Sequence, residues 1–414
     1  MSFSFSVKSK SSTTLRLAAA ALALSGCAAI ERSSSDFAVG GDGATGGIEA
    51  AGAASHRASA GFGGHSSGMG GAGASSAGAE ATAFSGASFI VGADITWVQA
   101  DEAQGAKYSD GTRGDILQIL KRHGFNYIRL RTFVDPKAKD GYDKQDGFAD
   151  LAHTIAFGKR IKAAGLGFLL DFHYSDNWAD PGKQCVPVGW AGLPDIASVA
   201  EALHDYTVNA LSELVRAGAR PDMVQIGNEI TPGMDIHVCD ANGQPTGVSP
   251  VAGTVSNWSN LGALLRAGSD AVKQVDPDML VMLHLHSGDS FEANRDFIDL
   301  AHEHGVSFEV FGASCYTTYQ GPPAKWQDTF SRLANAYPAL KLVIAEYGPE
   351  QRAANDLLFA LPDARGLGSF VWEPTRAGAW NTDHALFALE GDTFKATADL
   401  SLYDDMTAAY ASRL

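Results

Sequence analysis

From residue 88 onward the chain alternates a short apolar run with a helical pattern, eight times over. The runs centre on 90–96, 127–133, 167–173, 223–229, 280–286, 309–316, 342–346 and 369–373. Most are β-rich and carry charge only towards their ends, as strands buried on both faces of a parallel sheet do. Between them, Ile116, Leu117, Ile119 and Leu120 fall at helical spacing and stop at Gly124. The patterns 155–164, 199–217 and 297–304 stop at Gly165, Gly218 and Gly305, and 261–275 stops before Pro277. Glycine just past a helix and proline soon after it are ordinary C-terminal signals. Eight strand–helix units predict closure into a single (β/α)8 TIM barrel. An open doubly wound sheet is the alternative, and no G-x-G-x-x-G opens any of these helices to support it.

In such barrels the chemistry collects at the C-terminal ends of the strands. Two glutamates sit there. Glu229 closes Met223-Val-Gln-Ile-Gly-Asn-Glu229, and Glu346 closes Leu342-Val-Ile-Ala-Glu346. A carboxylate at the end of a buried strand is costly without a purpose. Two of them on different strands fit the acid and nucleophile of a glycoside hydrolase, about 5–5.5 Å apart if configuration is retained. Trp97, Arg129, Arg131, His173, Asn228, His284, His286, Tyr316 and Trp372 fall at the same strand ends. The duller alternative pairs both glutamates with Arg129 and Arg131 as structural ion pairs. His284-x-His286 with His173 has the makings of a zinc site. Its place on the fifth strand argues against that, and no metal is expected.

The N-terminus has another character. Lys8, Lys10 and Arg16 precede an apolar run at 17–24, which is too short to span a membrane. It ends in Leu24-Ser25-Gly26-Cys27, which resembles a bacterial lipobox with Cys27 as the lipidated residue. Residues 1–26 are therefore expected to be a lipoprotein signal peptide, and 27–88, rich in Gly, Ser and Ala, a disordered, lipid-anchored linker. Residues 89–414 remain for the catalytic domain, exported and either anchored to a membrane without crossing it, at the cell surface or in the periplasm, or secreted. The formal net charge of −16 argues against a nucleic-acid partner. Cys185 and Cys239 lie in polar stretches and are expected to pair, whereas Cys315 lies in an apolar run and reads as a buried thiol.

Several segments together resemble the family 53 glycoside hydrolases, the arabinogalactan endo-β-1,4-galactanases. They are Gly92-Ala-Asp-Ile-Thr-Trp97, Asn126-Tyr-Ile-Arg-Leu-Arg131, Asp171-Phe-His-Tyr-Ser-Asp176, Trp178-Ala-Asp-Pro-Gly-Lys-Gln184, Val224-Gln-Ile-Gly-Asn-Glu-Ile230, Met282-Leu-His284, Ala345-Glu346 and Val371-Trp-Glu-Pro374. The segment around His173 is the most specific. The resemblance implies retaining hydrolysis of β-1,4-galactan by a monomer, with Glu229 as acid/base and Glu346 as nucleophile. It implies substrate contacts from Asp94, Trp97, Arg129, His173, Asp176, Trp178, Asn228, His284, Tyr316 and Trp372. Sugar stacking is expected on Trp372, Trp97 and Trp178 before Trp190 or Trp380. Cys315 stands where the family usually has an aromatic residue, and His286 where it has an acidic one. The stretch 347–368 is shorter than the calcium-binding loop of some bacterial relatives and carries no acidic cluster. No cofactor and no calcium are therefore expected, and products should be short. The long insertion falls instead at 235–254. Another endo-glycanase, such as a mannanase or cellulase, is the nearest rival reading. A carbohydrate-binding lipoprotein without turnover is the more distant one.

Overall fold

The computed structural model describes residues 88–378 and 383–414. Cys27, the apolar run before it, the linker up to residue 87 and Trp380 lie outside the described residues. Eight parallel strands form a closed barrel: β1 (Ile90–Asp94), β2 (Tyr127–Thr132), β3 (Gly167–Phe172), β4 (Met223–Ile226), β5 (Leu280–Leu285), β6 (Val310–Cys315), β7 (Lys341–Tyr347) and β8 (Gly366–Trp372). Each strand pairs with its neighbours in sequence, and β8 closes on β1 through Ile90↔Gly368 and Asp94↔Trp372. The expected barrel is therefore present, with strand ends moved by one to three residues.

The helices start where side chains can satisfy the first free N–H groups. Asp115, Asp150, Asp195, Asn257 and Ser290 each accept from a backbone N–H of the first turn of the helix they precede. The longer of the two helices after β6, Pro323–Ala336, instead begins with proline, whose ring presets the helical φ. Outward residues of the strands, such as Val91, Ile128, Leu170, Val224, Val281, Phe311 and Ile344, are buried in the layer shared with these helices.

Inside the barrel the period-2 alternation of each strand changes character with height. The lower positions are apolar: Ile90, Tyr127, Leu169, Met223, Met282, Val310 and Val343 form one buried cluster with Phe370. Two or four residues further along the same strands come Asp94, Arg129 and Arg131, Asp171, Gln225, His284 and Ser314. The barrel thus has an apolar floor and a charged lid built from one set of inward positions. Gly92 makes the floor possible, because a Cβ there would lie 2.3 Å from the Phe370 ring.

Two loops are tied together beside the mouth. The insertion after β4 folds as a hairpin of His237–Cys239 and Pro245–Val248. Cys239 is joined by a disulfide to Cys185 in the loop after β3, with Cα atoms 5.9 Å apart. Cys315 is a buried free thiol, as expected. Only residues 348–350 separate β7 from its helix, Gln351–Phe359. A small sheet of Lys107–Ser109, Arg113–Gly114, Phe387–Glu390 and Thr393–Ala396 is a feature the sequence pattern did not announce. Among the described residues no helix is long and apolar enough to cross a membrane.

Candidate active site

Arg129 is the hub of the mouth. Its Nη1 donates to Asp94 Oδ2 (2.7 Å) and Glu346 Oε1 (2.9 Å). Its Nη2 donates to Asp171 Oδ2 and Asn228 Oδ1, both at 2.8 Å, and its Nε to Gln225 Oε1 at 3.2 Å. A planar guanidinium presents five donors in a fixed fork. Here that fork sets the relative positions of side chains from β1, β3, β7 and the end of β4. Arg131, one inward step higher, pairs with Glu373 at 2.7 Å and with Asp94 at 3.3 Å.

Glu346 reaches this hub through a β-bulge. The pairing of β6 with β7 runs Ala313↔Ile344 and then Ser314↔Glu346, so Ala345 is an extra residue. Ala345 belongs to the inner apolar cluster. The bulge lets the next residue, Glu346, face inward as well, which strict alternation forbids. Its second oxygen accepts from the Tyr316 hydroxyl at 3.0 Å. Two donors thus converge on this one carboxylate.

Glu229 is set up differently. β4 ends at Ile226, and the chain turns through Gly227 (φ 76°) to place Glu229 at φ 47°. A Cβ on Gly227 would come 2.6 Å from Ile230, so the turn needs glycine twice over. A non-glycine residue at positive φ is strained, and such strain collects at functional sites. Among the described residues no arginine is seen to donate to Glu229; its Oε1 lies 2.7 Å from Ser314 Oγ. Burial, followed by the charge of Glu346, pushes its carboxyl up to about 8. Burial raises Glu346 too, but there Arg129 and the Tyr316 hydroxyl oppose the rise. The pair therefore divides, with Glu346 ionising first and Glu229 keeping its proton near neutrality. The ion-pair alternative fits Glu346 in part and Glu229 not at all.

Other expected residues take more varied places. Trp97, Trp178 and Trp372 are partly exposed and adjoin one another, with ring centroids 5.3 Å (97–372) and 6.3 Å (178–372) apart. Arg131 lies over Trp178 at 4.3 Å. Trp190 instead packs against Tyr174 and Tyr206 in the core. His173 accepts from Ala179 N–H at Nδ1 (3.0 Å) and faces Asp171 through Nε2 (3.2 Å).

Arg129 and three more of the residues expected to touch substrate are buried, at most 2 % exposed. Asp94 is wholly buried between Arg129 and Arg131. Asp176, 2 % exposed, accepts from the backbone N–H groups of Asp135 and Val188 and so ties two loops. His284, also wholly buried, lies between Asn228 and Ser314. Strand-end position alone does not separate a cleft residue from one just beneath it. Sequence reasoning also passed over Ser314, Gln225 and Glu373. The first two were detectable as inward steps of β6 and β4, whereas Glu373, at φ 43° beyond β8, was not. Glu373 accepts from Trp97 N–H at 3.1 Å. Among the described residues no group of three or more His, Cys, Asp or Glu side chains is placed to hold a metal ion.

Comparison with known proteins places the barrel that carries this pair of glutamates in a family. The sequence model of glycosyl hydrolase family 53 matches residues 90–358. The chain belongs to that family. A relative named "Endo-beta-1,4-galactanase" from Bacillus subtilis is 34 % identical over 69 % of this chain and 70 % of its own length. A Niallia circulans protein, "Uncharacterized protein in bgaB 5'region", is 37 % identical over 60 % of this chain, which spans 65 % of that relative's length. The solved GH53 catalytic domain of Ignisphaera aggregans superposes with a TM-score of 0.67 at 29 % identity, covering 77 % of this chain and 96 % of that one. The family makes the chain a glycoside hydrolase.

Proposed function

We propose that this hydrolase cuts β-1,4-galactosidic bonds within galactan and type I arabinogalactan, with net retention of configuration. The observation that carries the reading is the divided pair: Glu346 held by two donors, one of them Arg129, and Glu229 beside the Ser314 hydroxyl with its carboxyl pushed up to about 8. Glu346 attacks the anomeric carbon while Glu229 protonates the departing oxygen. Glu229 then takes a proton from the water that releases the sugar, the sequence of events of a retaining glycosidase. Trp97, Trp178 and Trp372 offer ring faces to the sugars. The galactan choice is supported by family membership and by the printed name of the Bacillus relative.

The test offers the purified enzyme galactan, arabinogalactan, mannan and glucan, with proton NMR of the first-formed anomer. Galactan and arabinogalactan should be cut to short products with the β-anomer first, and chelation should change neither rate nor melting temperature. Turnover of mannan or glucan but not galactan overturns the substrate; binding without turnover on any of them returns the lipoprotein reading. A first-formed α-anomer overturns the mechanism.

We further infer that residues 1–26 are removed on export, that Cys27 carries lipid and that 27–88 tether the catalytic domain 89–414. The support is the order of basic head, apolar run and Leu24-Ser25-Gly26-Cys27. Cys27→Ser should move the protein from the membrane fraction to the soluble one, or block its processing. Unchanged partition would refute the anchor.

A further inference from the structure

The hydrogen bonds beneath Glu229 have a direction, and the direction can be worked out from Arg129. Arginine only donates. Its Nη2 faces Asn228 Oδ1 at 2.8 Å, and Asn228 Nδ2 donates to the Ala179 carbonyl at 2.8 Å, so the amide is fixed at both ends. Gln225 is fixed likewise: its Oε1 accepts from Arg129 Nε, and its Nε2 donates to Asp171 Oδ1 at 2.6 Å and the Gly227 carbonyl at 3.0 Å. Nε2 also lies 3.2 Å from both Asn228 Oδ1 and His284 Nδ1, but its two hydrogens go to the two nearer acceptors, so neither longer approach brings His284 a hydrogen. His284 Nδ1 lies 3.0 Å from Asn228 Oδ1, an atom that can only accept, so Nδ1 carries a hydrogen. His284 is fully buried, and burial together with nearby Arg129 holds its pKa far below the ordinary range. It is neutral, and its Nε2 must accept. The partner of Nε2 is Ser314 Oγ at 3.0 Å. A hydroxyl has one hydrogen. Spent on His284, it leaves Oγ only able to accept from Glu229 at 2.7 Å.

We propose that Ser314 and His284 are positioning residues that hold Glu229 in its acid form, with Glu229 O–H donating to Ser314 Oγ and Ser314 O–H donating to His284 Nε2. This deepens, and rests on, the reading of Glu229 as the acid. A serine beside a carboxylate ordinarily donates to it and favours the charged form. Here the polarity imposed through Asn228 favours the neutral form. Once Glu229 has given up its proton, Ser314 can turn to the new carboxylate only by abandoning His284. The other charged or titrating groups around Glu229 are Glu346 on β7, Asp180 after β3, Arg129 on β2 and Tyr316 after β6. Those around His284 are Arg129, Asp171, His173 and His286.

The two polarities predict opposite signs. The midpoint of Glu229 is read on the carboxyl itself, by carbon-13 NMR of enzyme labelled at glutamate Cδ, with Glu229→Gln giving the assignment. In Ser314→Ala the midpoint should fall by roughly half to one pH unit, the worth of one hydrogen bond to the acid form. Ser314→Cys, whose thiol is a weak acceptor, should move it the same way, and Ser314→Thr should restore it. The alkaline limb of kcat/KM should follow in each variant. A midpoint that rises or stays in place in Ser314→Ala or Ser314→Cys overturns the proposal, because Ser314 then donates to Glu229 or does not act on it. A midpoint that falls while the alkaline limb stays put supports the chain and removes Glu229 from the role of acid.

Discussion

Glu346→Ala should lose turnover on galactan by more than the roughly 10²–10⁴-fold that a missing proton donor costs, and should melt no lower than the parent. The first half follows from the proposed role. Without the carboxylate there is no covalent intermediate, and a weakened acid would not explain the size of the loss. Added azide should restore part of the rate and give the galactosyl azide of inverted configuration, because a small anion can enter the space the side chain leaves. The second half follows from the hub. Arg129 faces three carboxylates, Asp94, Asp171 and Glu346, and the charges of Asp94 and Asp171 push the Glu346 carboxyl up. Removing the third relieves like-charge repulsion and leaves Arg129 with its other partners. A site that sacrifices stability for function often stabilises when its reacting group is removed. Retained turnover within tenfold of the parent would sink the assignment of the nucleophile. A large fall in melting temperature would instead show that Glu346 is part of what holds the barrel mouth together.

Much of this site was visible in the sequence because the barrel converts a period of two into depth. Once β2 is known to face inward at Tyr127, its next inward residues are Arg129 and Arg131, and neither can be part of an apolar floor. The same rule gives Asp171 on β3, Gln225 on β4 and Ser314 on β6. What the rule cannot give is the exception. Glu346 should point outward after Val343 and Ala345 and points inward only because β7 has a bulge. Glu229 and Glu373 lie beyond their strands at positive φ, where alternation has stopped. Their orientation depends on backbone conformations that no local pattern signals. Depth itself was the second thing hidden. Asp94, Asp176 and His284 carry the polar groups expected of a cleft, yet each spends them on protein partners under its surface. The disulfide was legible for a simple reason: three cysteines followed Cys27, and one of them lay in an apolar run while the other two lay in polar stretches.

Arg129→Met should be the most destabilising single change at the mouth. Methionine fills much of the same volume but offers no donor, so Asp94, Asp171 and Glu346 lose the cation they share, and Asn228 and Gln225 lose a fixed neighbour. Breaking a buried ion pair by removing one partner costs about 3–5 kcal/mol, because the remaining charge stays buried and unpaired. That is a large part of the roughly 5–15 kcal/mol that holds a typical domain folded. The expected fall in melting temperature is roughly 4–7 °C for a domain of this size. Part of the cost is repulsion among the stranded carboxylates, so adding Asp94→Asn to Arg129→Met should recover some of it, a coupling the double-mutant cycle measures directly. Arg129→Lys should keep more of the stability than of the rate. An ammonium can neutralise the cluster as a point charge, but it cannot reach Glu346, Asp171, Asn228 and Gln225 in one plane. Glu346 would lose its orientation towards the sugar, and Asn228 would lose the contact that fixes its amide. A drop below about 1 kcal/mol in Arg129→Met, within the range of an exposed ion pair, would mean that water reaches the cluster and that the five contacts of Arg129 do not hold the site as described.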